Sequence, residues 1–123
     1  MIGNVEQALL YTCSATGAVV EEFTVSAQFL PRMGGYHRWV VEFVRRPDSV
    51  ERFAEVLDSK LRSLNSDYDA KRKSVMQPLR VVVVPRGTFH RWQIKERRRK
   101  IPRLKGDSAM SDALIAMSRA ESL

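Results

Sequence analysis

The chain has 123 residues, 44% of them apolar, which is enough for one core and fits one domain. Six glycines and five prolines exclude collagen-like and low-complexity classes, and no apolar run approaches the roughly 20 residues that span a bilayer. No basic stretch followed by an apolar run opens the chain, and the single cysteine, Cys13, has no internal disulfide partner, so a reducing, cytoplasmic setting is expected. Two separated histidines, His37 and His90, leave no ligand set for structural zinc, and no metal site is expected.

The net charge of +7 is concentrated. Arg86, Arg91, Lys95, Arg97, Arg98, Arg99, Lys100, Arg103 and Lys105 fall within twenty residues that hold one acid, Glu96, so the segment carries +8 and the rest of the chain −1. Such a segment suits a polyanion: nucleic acid, a phosphorylated ligand or an acidic partner surface. It equally suits a solvated basic helix end, which the helix dipole favours.

Asn4 to about Ser14 reads as a mostly apolar helix, with Asn4 as N-cap, Gln7 three residues on and Gly17 as a left-handed stop. Val19 to Phe29 alternates as a strand, with Phe23, Val25, Ala27 and Phe29 on one face and Glu22, Thr24, Ser26 and Gln28 on the other. The turn cluster Pro31 to Gly35 leads to a second strand, His37 to Val44, with Trp39, Val41 and Phe43 on one face, so the two strands are expected to form an antiparallel hairpin. Asp48 as N-cap, with Glu51 three on, opens a helix whose Val50, Phe53, Ala54, Leu57, Leu61 and Leu64 form one stripe ending near Asn65. Asp67 to Lys73 reads as a further helical turn. Leu79 to Val84 lacks alternation and reads as a strand covered on both faces. Thr88 is placed to cap a helix running to about Arg98, with Phe89, Trp92 and either the Ile94 or the Lys95 stem facing inward. After Pro102, residues 106–123 read as a helical tail, able to move, with Met110, Ala113, Leu114 and Met117 at helical spacing. The expected fold is α+β: one domain over residues 1–123, a small mixed sheet made of the hairpin plus a buried strand, packed with helices in the order α, β, β, α, a short α, β, α, α.

Little in the sequence announces chemistry by itself. Pro85-Arg86-Gly87-Thr88 follows a strand and precedes a helix, so its backbone N–H groups are able to receive a phosphate, although a plain turn with a Thr cap is the commoner meaning of such a stretch. Gly34-Gly35 is the other glycine-bearing loop, and neither matches a Walker loop or a dinucleotide fingerprint. Cys13 has no matched base and reads as a small buried hydrophobe. Lys100 and Arg103 bracket Ile101-Pro102, and the fixed proline backbone limits their freedom. A lysine as point charge and an arginine as fork suit a polyphosphate; the same residues also suit RNA, without the aromatic interleaving of the common RNA-binding folds.

Three stretches carry a resemblance. They are Leu64-Asn65-Ser66-Asp67-Tyr68-Asp69-Ala70-Lys71-Arg72, then Val84-Pro85-Arg86-Gly87-Thr88-Phe89 with Trp92, then Lys100-Ile101-Pro102-Arg103-Leu104. Their order and spacing resemble the C-terminal domain of the Gretchen Hagen family of auxin-responsive acyl-acid amido synthetases, plant enzymes with bacterial relatives, over about Asn4 to Leu104. The resemblance implies an adenylate-forming ligase. Its large N-terminal domain binds ATP, with Mg, and a carboxylic acid; an acyl-adenylate forms, and an amino acid attacks to give an amide and AMP. The small C-terminal domain is a lid that brings basic side chains to the nucleotide phosphates. The family's lid lysine falls on Lys100, as a phosphate contact, with Arg103 beside it. No adenylation motif stands in the 123 residues, so the chain is expected to be catalytically incomplete alone and to need the N-terminal adenylation domain, the acyl acid and the amino acid, with no membrane involved. It would be a domain of a longer product or a stand-alone relative. The alternative is a stand-alone basic α/β module that binds RNA or another polyanion through residues 86–105.

Overall fold

The computed structural model describes residues 2–32, 34–97, 104–105 and 109–122. In chain order these form α1 (Ile2–Thr16), β1 (Val19–Leu30), β2 (Gly34–Arg45), α2 (Val50–Leu64), α3 (Ser66–Arg72), β3 (Arg80–Val84), α4 (Thr88–Glu96), β4 (Leu104–Lys105) and α5 (Ala109–Ser122). The α+β class and the order of the larger elements match the sequence reading. The two-residue strand β4 was not anticipated, because two residues are too few to show alternation.

Among the described residues the sheet runs β3-β2-β1-β4. The hairpin β1–β2 is antiparallel, with Phe23 opposite Val41 and Val25 opposite Trp39. At both edges the added strands run parallel to their neighbours: β3 beside β2, with Trp39 opposite Val81, and β4 beside β1, with Val25 opposite Leu104.

Helices cover both faces, which explains the distribution of apolar residues. On the first face Phe23, Val25, Trp39, Val41 and Phe43 meet Val5, Ala8 and Leu9 of α1 and Phe53, Leu57 and Leu61 of α2. Phe23 stacks on Trp39 at 5.3 Å, and Phe43 meets Phe53 edge-on at 5.1 Å. The stripe of α2 is therefore buried as its spacing predicts, each large side chain contributing about 1.5–3 kcal/mol. On the second face Val40, Val84, Phe89, Trp92, Met110 and Leu114 form a smaller core under α4 and α5. Thr24 and Ser26, which alternation assigns to a polar face, are buried there, and Ser26 Oγ lies 2.9 Å from Ser111 Oγ of α5. Residues 109–122 thus form a helix seated on the sheet.

Several local expectations change. The first helix begins at Ile2, so Asn4 is an interior residue, and its side-chain oxygen accepts from Asn65 Nδ2 at 3.5 Å. Ser49, one residue after Asp48, caps α2 by accepting from the Arg52 N–H at 3.1 Å. Asn65 ends α2 and caps α3, with its side chain accepting from the Tyr68 N–H. As an edge strand β3 keeps its middle valines half-buried rather than covered on both faces. Phe29 is 82% exposed and Ile94 64% exposed, so neither joins the core.

Gly34 and Gly35 have a steric cause. The backbone of residues 75–77 lies against them, with Gly35 N–H donating to Val75 O and Gln77 N–H donating to Gly35 O. At Gly34, φ is +74°, and a Cβ would sit 1.6 Å from Val75 O. Only glycine fits that conformation and that approach. Gly34→Ala is therefore expected to destabilise the fold by about 2–4 kcal/mol in chemical denaturation. Gly3→Ala, inside α1 with open space around it, should stabilise by up to about 1 kcal/mol. Equal midpoints for the two variants would contradict this assignment.

Candidate functional site

The described part of the basic segment starts at β3 and ends at β4. These two strands lie at opposite edges of the sheet, so the chain between Val84 and Leu104 passes across three strand spacings, about 14 Å. The described basic residues are thereby spread out rather than gathered on one helix face. Arg86 stands exposed in the loop before α4, Arg91 is half-buried on it, and Lys95 and Arg97 are exposed at its end. Lys105 belongs to β4, in register with Ser26. Arg98, Arg99, Lys100 and Arg103 lie outside the described residues.

The start of α4 does not present a free phosphate cradle. Glu42, buried toward the C-terminal end of β2, reaches it from the sheet. One carboxylate oxygen accepts the Gly87 N–H at 3.0 Å and the other the Phe89 N–H at 3.1 Å. An internal anion thus takes donors that an incoming phosphate would use. Thr88 is the first residue of the helix and not its cap; its hydroxyl donates to Pro85 O at 2.7 Å. Arg91 folds back over the loop, with Nη2 donating to the Thr88 hydroxyl at 3.4 Å. The groove beside the loop, about 480 Å³, is lined by Glu21, Glu22 and Glu42 as well as Arg86 and His90. That mixture of charge disfavours a polyanion on this side of α4. At the other end of the helix Arg97 takes a left-handed conformation, and its N–H donates to Gln93 O and Ile94 O. The basic end of α4 therefore complements the helix dipole.

The stretch Asn65–Arg72 also serves the scaffold. Tyr68 donates its hydroxyl to Asp58 of α2. Arg72 forks the same carboxylate, with Nε at 3.0 Å and Nη2 at 2.9 Å from Oδ2, and its Nη1 donates to Met76 O at 3.3 Å. Burial, followed by the bond to Asp58, pushes the Tyr68 hydroxyl well above its ordinary value, so it remains protonated. The Arg72 guanidinium is held above its ordinary value by Asp58. His37 stacks on Tyr68 at 5.6 Å, and burial, with the Lys71 charge, lowers its pKa below 6.5. A closed carboxylate–tyrosine–arginine cluster of this kind fixes α3 to α2, and its donors are directed inward. Cys13 is half-buried in an apolar groove of α1 and β1, where burial pushes its thiol upward. It is therefore a poor nucleophile. Among the described residues no group of three His, Cys, Asp or Glu side chains is placed to hold a metal ion.

Sequence reasoning missed Glu42 and Asp58. Glu42 shares the parity of Val40, opposite to that of Trp39, Val41 and Phe43, and an acid inside a strand so rich in apolar residues was the available signal.

Two measurements check these roles. Glu42→Ala strands two backbone donors, and its expected cost is about 3 kcal/mol in chemical denaturation. It should also accelerate amide exchange at Gly87 and Phe89. Unchanged exchange at both amides would remove Glu42 from this role. His37 has a folded-state pKa below its unfolded value of 6.5, so the unfolded chain binds more protons in the interval between them. Its contribution to stability is complete above pH 6.5 and is lost as pH falls through the lowered value. His37→Phe should flatten the stability profile in that interval, and an unaltered slope would contradict the sign.

The model of the GH3 family C-terminal domain matches residues 3–107. This is the Gretchen Hagen family that the three stretches resemble. Among solved structures, the GH3.15 acyl acid amido synthetase superposes with a TM-score of 0.68 at 17% identity. The match covers 98% of this chain and 22% of that one. At that identity the likeness speaks for the fold, and the chain spans under a quarter of the enzyme it resembles. Comparison with curated proteins found no match. With 105 consecutive residues matched, and with the fold agreeing over almost the whole chain, this protein belongs to the GH3 family as a C-terminal domain.

Proposed function

We propose that this chain works as the lid of an ATP-dependent acyl-acid amido synthetase, completing a site whose larger part is supplied by an N-terminal adenylation domain. The observation that carries the reading is the family match, whose range, residues 3–107, includes Lys100 and Arg103. ATP supplies the activation: the acyl acid's carboxylate is adenylated with loss of pyrophosphate, and the acyl group then passes to the amino acid nitrogen with loss of AMP. In this chain Lys100 contributes a point charge toward the phosphates, where negative charge grows on the leaving group. Arg103 adds a planar fork one residue beyond the proline. Pro102 limits the backbone freedom between them. ATP and its magnesium are assigned mainly to the N-terminal domain, as are the acyl and amino acid pockets.

The described scaffold suits a body that moves as a unit. Buried carboxylates tie helices on both faces of the sheet, at Glu42 and Asp58. The segment holding Lys100 and Arg103 joins the capped end of α4 to β4. A lid brings charge to the phosphates in one half-reaction and withdraws it in the other. We place the protein in the cytoplasm; no helix among the described residues is long and apolar enough to cross a membrane. The carboxylates beside Arg86 make the RNA reading the weaker one.

The test joins this chain to a matching N-terminal domain and follows acid-dependent pyrophosphate release. Lys100→Ala should slow release about 100-fold or more, with the acyl acid KM little changed. An unchanged rate would overturn the role of Lys100. Affinity of the isolated chain for RNA that falls by orders of magnitude over a few-fold rise in salt would favour the polyanion reading instead.

A further inference from the structure

A second basic cluster lies outside the segment just described. The pairings align one row across three strands: Ser26 on β1, Arg38 on β2 and Arg80 on β3. Arg38 and Arg80 are direct neighbours in that row, and both line an open groove of about 410 Å³ between the sheet and α5. Tyr36 lines it too, with the Arg80 guanidinium 4.0 Å from its ring centroid. From α5 come Asp112, Ile115 and Arg119, which the helical spacing of three, four and seven places on one face.

Like charges directly opposite on neighbouring strands repel and lower stability. Here two arginines take that arrangement, and a third, Arg119, faces the same space. Of the described side chains lining the groove, one is acidic: Asp112, which accepts from Arg38 Nη2, as does the Ser111 hydroxyl. Arg38 Nε is buried without a hydrogen-bond partner among the described residues. Among the described residues that line it, three arginines accompany one carboxylate, and the Tyr36 ring orients the Arg80 fork. Planar guanidinium forks match the oxygen spacing of a phosphate group, and a bound dianion would remove the repulsion between the two strands. We propose that this groove binds a phosphate-bearing small anion through Arg38, Arg80 and Arg119. The proposal rests on the register of β2 and β3 and on α5, independently of Lys100 and of the synthetase reading.

The 123-residue chain is titrated with inorganic phosphate, and separately with AMP, while backbone amide shifts are followed. Saturable shifts centred on Tyr36, Arg80 and Ile115 are expected. Arg80 and Arg119 are exposed, so their replacement should leave the circular dichroism spectrum unchanged. Arg80→Ala should weaken phosphate binding about tenfold, Arg80→Lys by less, because charge remains when the fork is lost. The double variant Arg80→Ala with Arg119→Gln should abolish binding at this face. Equal affinities for phosphate and AMP would identify a free oxyanion as the ligand, and tighter AMP a nucleotide phosphate; either result supports the groove. Absence of saturable binding at millimolar phosphate would overturn the proposal. So would undiminished binding by the double variant, or shifts confined to residues 86–105.

Discussion

The carboxylate of Glu42 is the point on which the placement of the basic segment depends. It lies toward the C-terminal end of β2, one of the two inner strands, in a stretch buried from Trp39 to Phe43. A carboxylate in that position costs several kcal/mol unless its charge is met. Two backbone N–H groups of the α4 turn meet it. The same contact satisfies orphan donors of the helix and fixes where α4 begins. Arg86, Arg91, Lys95 and Arg97 take their positions from that start. On the opposite face Asp58 plays the corresponding part, gathering Tyr68 and Arg72 and, through Arg72, the Met76 carbonyl beside Gly35. Each side of the sheet thus has one buried anion that anchors a helix.

This arrangement separates scaffold from chemistry. Glu42, Asp58, Tyr68 and Arg72 are committed to the fold. Glu42 is bonded to backbone amides of the α4 turn, and Asp58, Tyr68 and Arg72 to one another and to the Met76 carbonyl. The residues proposed for phosphate contact, Lys100 and Arg103, fall in the sequence between α4 and β4, outside the described residues. A rigid body carrying a basic crossing segment is what a lid requires, since the charge must travel with the domain. The 22% coverage of the synthetase is consistent with that division of labour. In the proposed reading the acyl and amino acid pockets are assigned to the larger remainder of such an enzyme.

Local patterns in the sequence carried much of the fold. The stripe of α2 is visible because Phe53, Leu57 and Leu61 repeat at helical spacing and bury on one side. The hairpin is visible because Phe23, Val25, Trp39 and Val41 alternate. What was not legible depends on partners far away in the chain. Thr24 and Ser26 look like a solvated face until α5, some 85 residues later, covers them. Gly34 looks like a turn residue, whereas its constraint is the carbonyl of Val75. Asp48-Ser49 offers two adjacent capping side chains, and spacing to Glu51 favoured the wrong one. The concentration of charge in residues 86–105 was evident, but its division between two sheet edges was not. Nor was the alignment of Arg38 with Arg80, which only strand register reveals. The resemblance of Asn65–Arg72 to the family was legible as a motif, and the structure gives its physical content: a double cap and a clustered carboxylate.

The central claim is that the segment through Lys100 and Arg103 closes on the nucleotide phosphates while the scaffold moves as one body. Hydrogen exchange on the enzyme assembled with its N-terminal domain, with and without a non-reactive acyl-adenylate analogue, measures this directly. The account predicts protection at residues 98–105 on binding, with exchange in α2 and β2 unchanged. Unaltered exchange across 98–105, with protection elsewhere in the domain, would contradict it.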